Sequence, residues 1–352
     1  MDVLDNLESI KKIDVSNMFD LILNFDSQCE RAVSAARSCD IPREYSQVEK
    51  IIVIGMGGSA IGGDILSKLL IDEIKVPVFV NRNYHLPNFA DKKTLVFATS
   101  YSGNTEETLS SYNDAKGRGC RIICVTSGGK LADNAESDSL PLIKIPGGQP
   151  PRSALGYMFL PVLIVMQSLG LTTSKMEDIN EAISILKRFK TVWGNESSDS
   201  NMAKKLAKIL YNKFPLIYSV DGCLGPVALR WKTQLNENSK ILAYNNVFPE
   251  LDHNEIVGWE GLDNLTKSMS VIILRDKDDF ERNSKRIAIT SSIIKDKPSE
   301  ITEIWTEGSS VLARMFSLIY LGDFVSFYLA ILYGVDPTPV ERIEILKKKL
   351  VE

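Results

Sequence analysis

Short, unbroken apolar runs recur along this chain, each released through a glycine- or hydroxyl-rich turn into a helical stretch, and they leave it few ways to fold. Lys50-Ile-Ile-Val-Ile54 leads into Gly55-Met-Gly-Gly-Ser59 and an apolar helix over 60–70. Further strands are expected at 76–80, 94–99, 121–126 and 140–145. A strand that is apolar on both faces must be covered on both, which is the condition of a parallel sheet between helical layers. After the last of these runs come Pro146-Gly-Gly, Pro150-Pro151-Arg152 and a long apolar helix over 153–169.

The plan then repeats. A polar stretch over 172–201 reads as a helical linker with a surface loop at 194–200. A strand over 216–220 follows, then Asp221-Gly-Cys-Leu-Gly225 and a helix opening at Pro226, a residue favoured in a first turn. A strand at 268–274 precedes a charged helix, and one at 301–305 leads through Glu307-Gly308 into an apolar helix over 311–321. The expected fold is therefore α/β, built as two tandem domains, each a parallel sheet flanked by helices in three layers. The expected divisions are an N-terminal helical segment at 1–45, a first domain at 46–171, a helical linker at 172–205 and a second domain at 206–352 that ends in a C-terminal helix.

Composition narrows the function. With 352 residues, 44% apolar and 24% charged, the chain is an ordinary globular protein of two-domain size. A net charge of −4 supplies no basic stripe, which argues against nucleic acid as a partner. Residues 1–12 lack the basic start and apolar core of a signal peptide. The most apolar segments, 158–166 and 315–332, are interrupted by Pro161 and by Gly322 and Asp323, so no membrane span is expected. Five scattered cysteines without a CxxC pair fit a reducing cytoplasm, and two histidines argue against a histidine-built metal site.

The most informative turn is Ser100-Tyr-Ser-Gly-Asn-Thr105, between the 94–99 strand and a helix opening at Glu106-Glu107. Ser100, Ser102 and Thr105 stand where a helix start offers free N–H groups and its positive dipole end, a setting for a compact phosphate. The same residues also read as an N-cap cluster that only begins a helix. Gly55-Met-Gly57-Gly58-Ser59-Ala60 likewise has two readings. It satisfies the dinucleotide fingerprint, but the acid expected about twenty residues later is missing and Asn81-Arg82 leaves only NADP. Alternatively, Gly57 and Gly58 admit a sugar phosphate close to the backbone and Ser59 adds a hydroxyl.

Four other residues are candidates for acid–base chemistry. Arg152 stands at a proline-stiffened corner near the strand ends of the first sheet, where open α/β folds bind ligands. Glu237, in Leu235-Asn-Glu-Asn-Ser239, ends the helix that carries Val227, Trp231 and Leu235, and suits a general base. Asp252 and Glu255 read as a capping box that sets His253 in the first turn of the next helix, ready to exchange a proton with a sugar oxygen. His85, in a Tyr-His-Leu-Pro loop, is assigned no role. A short helix after Pro339 puts Val340, Ile343, Lys347 and Leu350 on one stripe at about 100° per residue, so Lys347 is expected to face inward. Each of these also has a plain structural reading as a solvated loop, cap or snorkelling side chain.

Taken in order, Gly55-Met-Gly-Gly-Ser-Ala-Ile-Gly-Gly63, Ser100-Tyr-Ser-Gly-Asn-Thr105, Pro151-Arg-Ser-Ala-Leu-Gly156, Asn236-Glu-Asn238, Asp252-His-Asn-Glu255 and Asp336-Pro-Thr-Pro339 resemble the archaeal-type bifunctional phosphoglucose/phosphomannose isomerases, which consist of two sugar isomerase (SIS) domains. The resemblance implies an aldose–ketose isomerase acting on hexose 6-phosphates through an enediol(ate), with no metal and no cofactor. It implies that Gly58, Ser59, Ser100, Ser102 and Thr105 hold the phosphate and that Arg152 steadies the enediolate. Glu237 would move the proton between C1 and C2, His253 would open the ring, and Lys347 (with Lys348 as the alternative register) would contact the substrate. Thr338 is linked to the mannose epimer. A homodimer that shares its active site is implied, with His253 acting across the interface. The stretches at 172–201 and around 280–300 read as insertions relative to compact members. A non-catalytic sugar-phosphate regulator and an NADP-dependent oxidoreductase remain as alternative readings.

Overall fold

The computed structural model describes residues 3–194 and 200–351, so positions 195–199 of the expected surface loop lie outside the described residues. The chain divides into two compact units, Asn24–Ile183 and Ser184–Glu352, the second joined by Met1–Leu23. The 1–45 stretch, expected as one helical segment, is thus shared between them.

In the first unit, β1 (Lys50–Ile54), β2 (Val78–Asn81), β3 (Thr94–Thr99), β4 (Arg121–Thr126) and β5 (Leu142–Lys144) pair in parallel in the order β2-β1-β3-β4-β5. β3 is buried along its whole length, as its unbroken apolar sequence requires. The helix Leu155–Ser168 is buried almost throughout and carries Pro161 inside it. The helix Phe25–Arg37 lies against it, and its Gln28 donates to the Ser153 carbonyl at 2.7 Å and accepts from the Gly156 N–H at 2.7 Å. These two bonds fix the start of the 155–168 helix and the corner that precedes it.

In the second unit, β6 (Phe214–Val220), β7 (Tyr244–Phe248), β8 (Met269–Arg275) and β9 (Glu300–Trp305) are also parallel, in the order β7-β6-β8-β9. Topologically this is the first sheet without its final strand. β7 escaped the sequence reading because Tyr244-Asn-Asn-Val-Phe248 is half polar; as an edge strand it is only partly buried. The helix Glu281–Ile294 is the crossover from β8 to β9, as Glu106–Gly117 is from β3 to β4. The stretch around 280–300 therefore supplies a crossover of the repeated unit. Residues 3–23 join this unit through Asp5, which takes the buried Lys204 ammonium at 3.0 Å, and through Phe19, stacked on Phe327.

The largest departure from expectation is the last apolar helix. It does not stop at 321 but runs from Val311 to Leu332, with Gly322 and Asp323 inside it. Among the described residues it is the one helix long and apolar enough to cross a membrane, yet 94% of its most apolar window is buried within the protein. Gly322 is there because the Trp231 indole lies on it: a Cβ would come within 2.4 Å of the ring nitrogen. That nitrogen donates to the Leu318 carbonyl at 2.8 Å. Asp323 accepts two bonds from one Arg230 nitrogen, at 3.0 and 2.9 Å, and one from Gln234 at 2.8 Å. Both residues that look like breaks in the sequence are contacts to the helix Gly225–Glu237. Removing one partner of a buried ion pair strands the other, at a cost of about 3–5 kcal/mol. Asp323→Ala should lower the urea midpoint by a corresponding amount, and a midpoint unchanged from the parent would refute this account of the seam.

Candidate active site

Because each sheet is parallel, the turns that follow its strands gather at one edge. At the edge of the first sheet, Ser59 ends a short 3-10 turn, Gly57–Ser59, and accepts from the Tyr101 N–H at 3.1 Å, which ties the glycine turn to the hydroxyl turn. Ser100 is buried, Ser102 exposed and Thr105 half-buried. The Ser100 and Thr105 hydroxyls lie 3.0 Å apart, and the Gly103 N–H donates to Ser100 Oγ at 3.1 Å. Thr105 holds the N-cap position of Glu106–Gly117, but its side chain makes no capping bond. The hydroxyls thus bind one another and leave the helix start uncapped by a side chain, the state that suits an incoming anion. Thr108, one turn in, was not singled out in the sequence; its buried hydroxyl has no hydrogen-bond partner among the described residues. Its one sequence signal is that it continues the spacing of hydroxyls begun at Ser102 and Thr105.

Arg152 lies in the 3-10 turn Pro151–Ser153 and is 3% exposed, so it is no solvated loop arginine. It is carried directly on the glycine turn. A Cβ at Gly58 would come within 2.8 Å of the Pro151 carbonyl and 2.9 Å of the Arg152 Cα. Gly58 is therefore required for backbone to meet backbone, and it brings Arg152 beside Ser59. Arg82, the residue that would have to take the 2′-phosphate of NADP, is engaged by the Asp64 carboxylate, which removes the support for a dinucleotide.

In the second unit, Glu237 is the last residue of Gly225–Glu237 and is half-buried. Its two neighbours are anchored. Asn238 donates to Ser326 Oγ at 3.0 Å, and the Ser239 hydroxyl donates to the Ser326 carbonyl at 2.6 Å. Ser326 lies inside the 311–332 helix, so Glu237 is aimed by the same seam that buries Asp323. It lines a cavity of about 610 Å³ together with Asn236, Lys240, Asp336, Pro339 and Ile343. The Asp336-Pro-Thr-Pro turn is thereby brought to the candidate base, with the Thr338 N–H held by Asp336 at 3.0 Å.

Two expectations fail in detail. Asp252 caps nothing: its carboxylate accepts from Thr290 at 2.8 Å and pairs with Arg286 at 3.3 Å. Asn254 is the N-cap of the short helix Glu255–Gly258, and its side chain accepts from the Glu255 N–H at 2.6 Å. His253 consequently ends the 3-10 turn Glu250–His253, exposed, rather than entering a helix. Asn was overlooked because Asp252 and Glu255 matched the familiar box spacing. Lys347 does not face inward either. On the helix Glu341–Val351 every residue from 341 to 350 is exposed, with Ile343 at 41% and Leu350 at 65%. The stripe exists, but the chain does not cover it. Neither His253 nor Lys347 lines the Glu237 cavity.

The turn after β8, equivalent to the hydroxyl turn, has opposite chemistry. Asp276 accepts from Arg314 at 2.9 Å, Asp278 pairs with the same guanidinium at 2.7 Å, and Asp279 takes Arg275 at 3.3 Å. The Cys223 thiol, from the turn after β6, is pushed up to about 12, first by burial and then by Asp276. Three carboxylates with their own arginines repel a phosphate rather than receive one. Among the described residues no group of three His, Cys, Asp or Glu side chains is placed to hold a metal ion.

Residues 44–139 match the family model described as the SIS domain, and residues 199–350 that of the bacterial phospho-glucose isomerase C-terminal SIS domain. The chain is 46% identical to the bifunctional phosphoglucose/phosphomannose isomerase of Caldicellulosiruptor bescii over 95% of its own length and 99% of that protein's. It is 38% identical to the enzyme of the same name from Aquifex aeolicus, covering 88% and 93% of the two chains. Among solved structures, tagatose-6-phosphate ketose/aldose isomerase from Escherichia coli superposes with a TM-score of 0.70 at 15% identity, covering 93% of this chain and 96% of that one. At such identity over nearly the whole of both sequences, the chain belongs to the bifunctional phosphoglucose/phosphomannose isomerase family, and its two units are SIS domains.

Proposed function

We propose that this chain interconverts glucose 6-phosphate and mannose 6-phosphate with fructose 6-phosphate by metal-independent proton transfer through an enediol(ate), as a cytoplasmic homodimer. The observation that carries the reading is Arg152, a buried arginine whose backbone rests on Gly58, next to Ser59. A cation fixed there meets charge that develops on oxygen during reaction without having to reorganise. Ser59, Ser100, Ser102 and Thr105, with the Gly58 backbone, hold the phosphate. Glu237 takes the proton from C2 of the aldose and returns it to C1, and Arg152 stabilises the oxyanion between the two steps. His253 opens the ring and Lys347 contacts the open end. Both are exposed on the single chain, which supports a second copy as the completing element of the site.

A positioned base contributes about 10²–10⁴ in rate and one oxyanion partner about 10²–10³. Glu237→Gln should therefore lower kcat at least about 100-fold, and Arg152→Ala by a similar factor, with fructose 6-phosphate as substrate. Full turnover in Glu237→Gln would remove the base assignment, and no turnover in the parent would turn the reading to a sugar-phosphate sensor. Replacing Ser59 and Ser100 together by Ala should raise KM for all three substrates alike, with kcat changed much less; a selective loss of one epimer would contradict a phosphate role. Light scattering should return twice the 39.2 kDa chain mass, and a monomer at working concentration would count against the shared site.

A further inference from the structure

The cavity that holds Glu237 has two walls, and one side chain joins them. Lys240, exposed, follows Gly225–Glu237 in the left-handed region at φ 59°, a turn that ends the helix and brings its side chain back over it. Its Nζ donates to the Glu237 carbonyl at 2.5 Å and to the Pro337 carbonyl at 2.8 Å. The first is the carbonyl of the last residue of the helix. The second belongs to the Asp336-Pro-Thr-Pro turn, whose Asp336 and Pro339 line the same cavity.

We propose that Lys240 is a positioning residue that sets the separation between the base and the wall facing it, and so sets the balance between the two aldose substrates. The inference rests on Glu237 being the base. Glucose and mannose 6-phosphate differ only in the arrangement at C2, the carbon from which the base takes its proton. The wall across from the base is therefore the surface that meets the C2 substituents. Both epimers give the same enediol(ate), so discrimination lies in how each is presented to Glu237, and an error of about 1 Å there costs on the order of 100-fold. A clamp from base to wall bears on this presentation and leaves the phosphate cradle untouched, since Ser59, Ser100, Ser102 and Thr105 belong to the other unit.

The test measures kcat and KM for glucose 6-phosphate and mannose 6-phosphate in the full-length Lys240→Met, Lys240→Gln and Lys240→Arg proteins, with Glu237→Gln in parallel. Lys240→Met should shift the mannose-to-glucose ratio of kcat/KM at least about threefold, mainly through kcat, with KM within about twofold of the parent. Lys240→Arg, whose fork can span both carbonyls, should restore the ratio. Should Lys240→Met lack a cooperative thermal transition, Lys240→Gln, too short to bridge both carbonyls, is judged by the same criterion. Equal loss on both epimers, or a shift that Lys240→Arg does not reverse, overturns the clamp while leaving the base assignment intact. Full activity in Glu237→Gln overturns the base assignment instead, whatever the lysine variants show.

Discussion

The polar seam between the Gly225–Glu237 helix and the Val311–Leu332 helix organises the second unit. Arg230, Gln234, Asn238 and Ser239 on one side meet Asp323 and Ser326 on the other, deep in an otherwise apolar contact. An apolar interface permits sliding with little penalty, whereas a buried ion pair reinforced by hydrogen bonds favours one register. Here the register matters because Glu237 closes one of these helices. Trp231 on Gly322 sets how closely the helices approach, and Asp323 and Ser326 set how they are aligned. In this unit, precision at the candidate base is thus a consequence of core packing.

The first unit reaches a comparable result through backbone contact. Gly58 lies directly on Pro151 and Arg152, and Ser59 is tied to Tyr101, so three separate turns become one rigid surface. The hydroxyls of Ser100 and Thr105 satisfy each other, which keeps them ordered without spending the N–H groups of the following helix. An anion entering such a site meets donors already in place.

The two sheets share one topology, yet their edges have diverged. Where the first offers hydroxyls, the second has Asp276, Asp278 and Asp279 locked to Arg275 and Arg314. Those ion pairs make this edge internal structure. A duplicated fold therefore need not carry a duplicated site. In the second copy the candidate residues lie instead at a helix end and in a turn, where Glu237 and Asp336 line one cavity.

Much of this was legible from the chain alone. Eight strands, the parallel class, the duplication and the grouping of glycine turn, hydroxyl turn and Arg152 all follow from local apolar runs and from turn chemistry, which act over a few residues. The misreadings share a different cause. Gly322 and Asp323 look like a helix break until Trp231 and Arg230 are placed beside them. Asp252 looks like a cap until Arg286 and Thr290 take its carboxylate, and the stripe containing Lys347 implies an inward face that the chain does not cover. β7 is too polar to stand out, because an edge strand needs only partial cover. The sequence by itself determined eight of the nine strands and the glycine and hydroxyl content of the turns between them, since both are set by near neighbours. The tertiary structure alone decided the length of the 311–332 helix, the surroundings of His253 and the clamp from Lys240 to Pro337, since each depends on a partner distant in the chain whose contact outweighs the local preference.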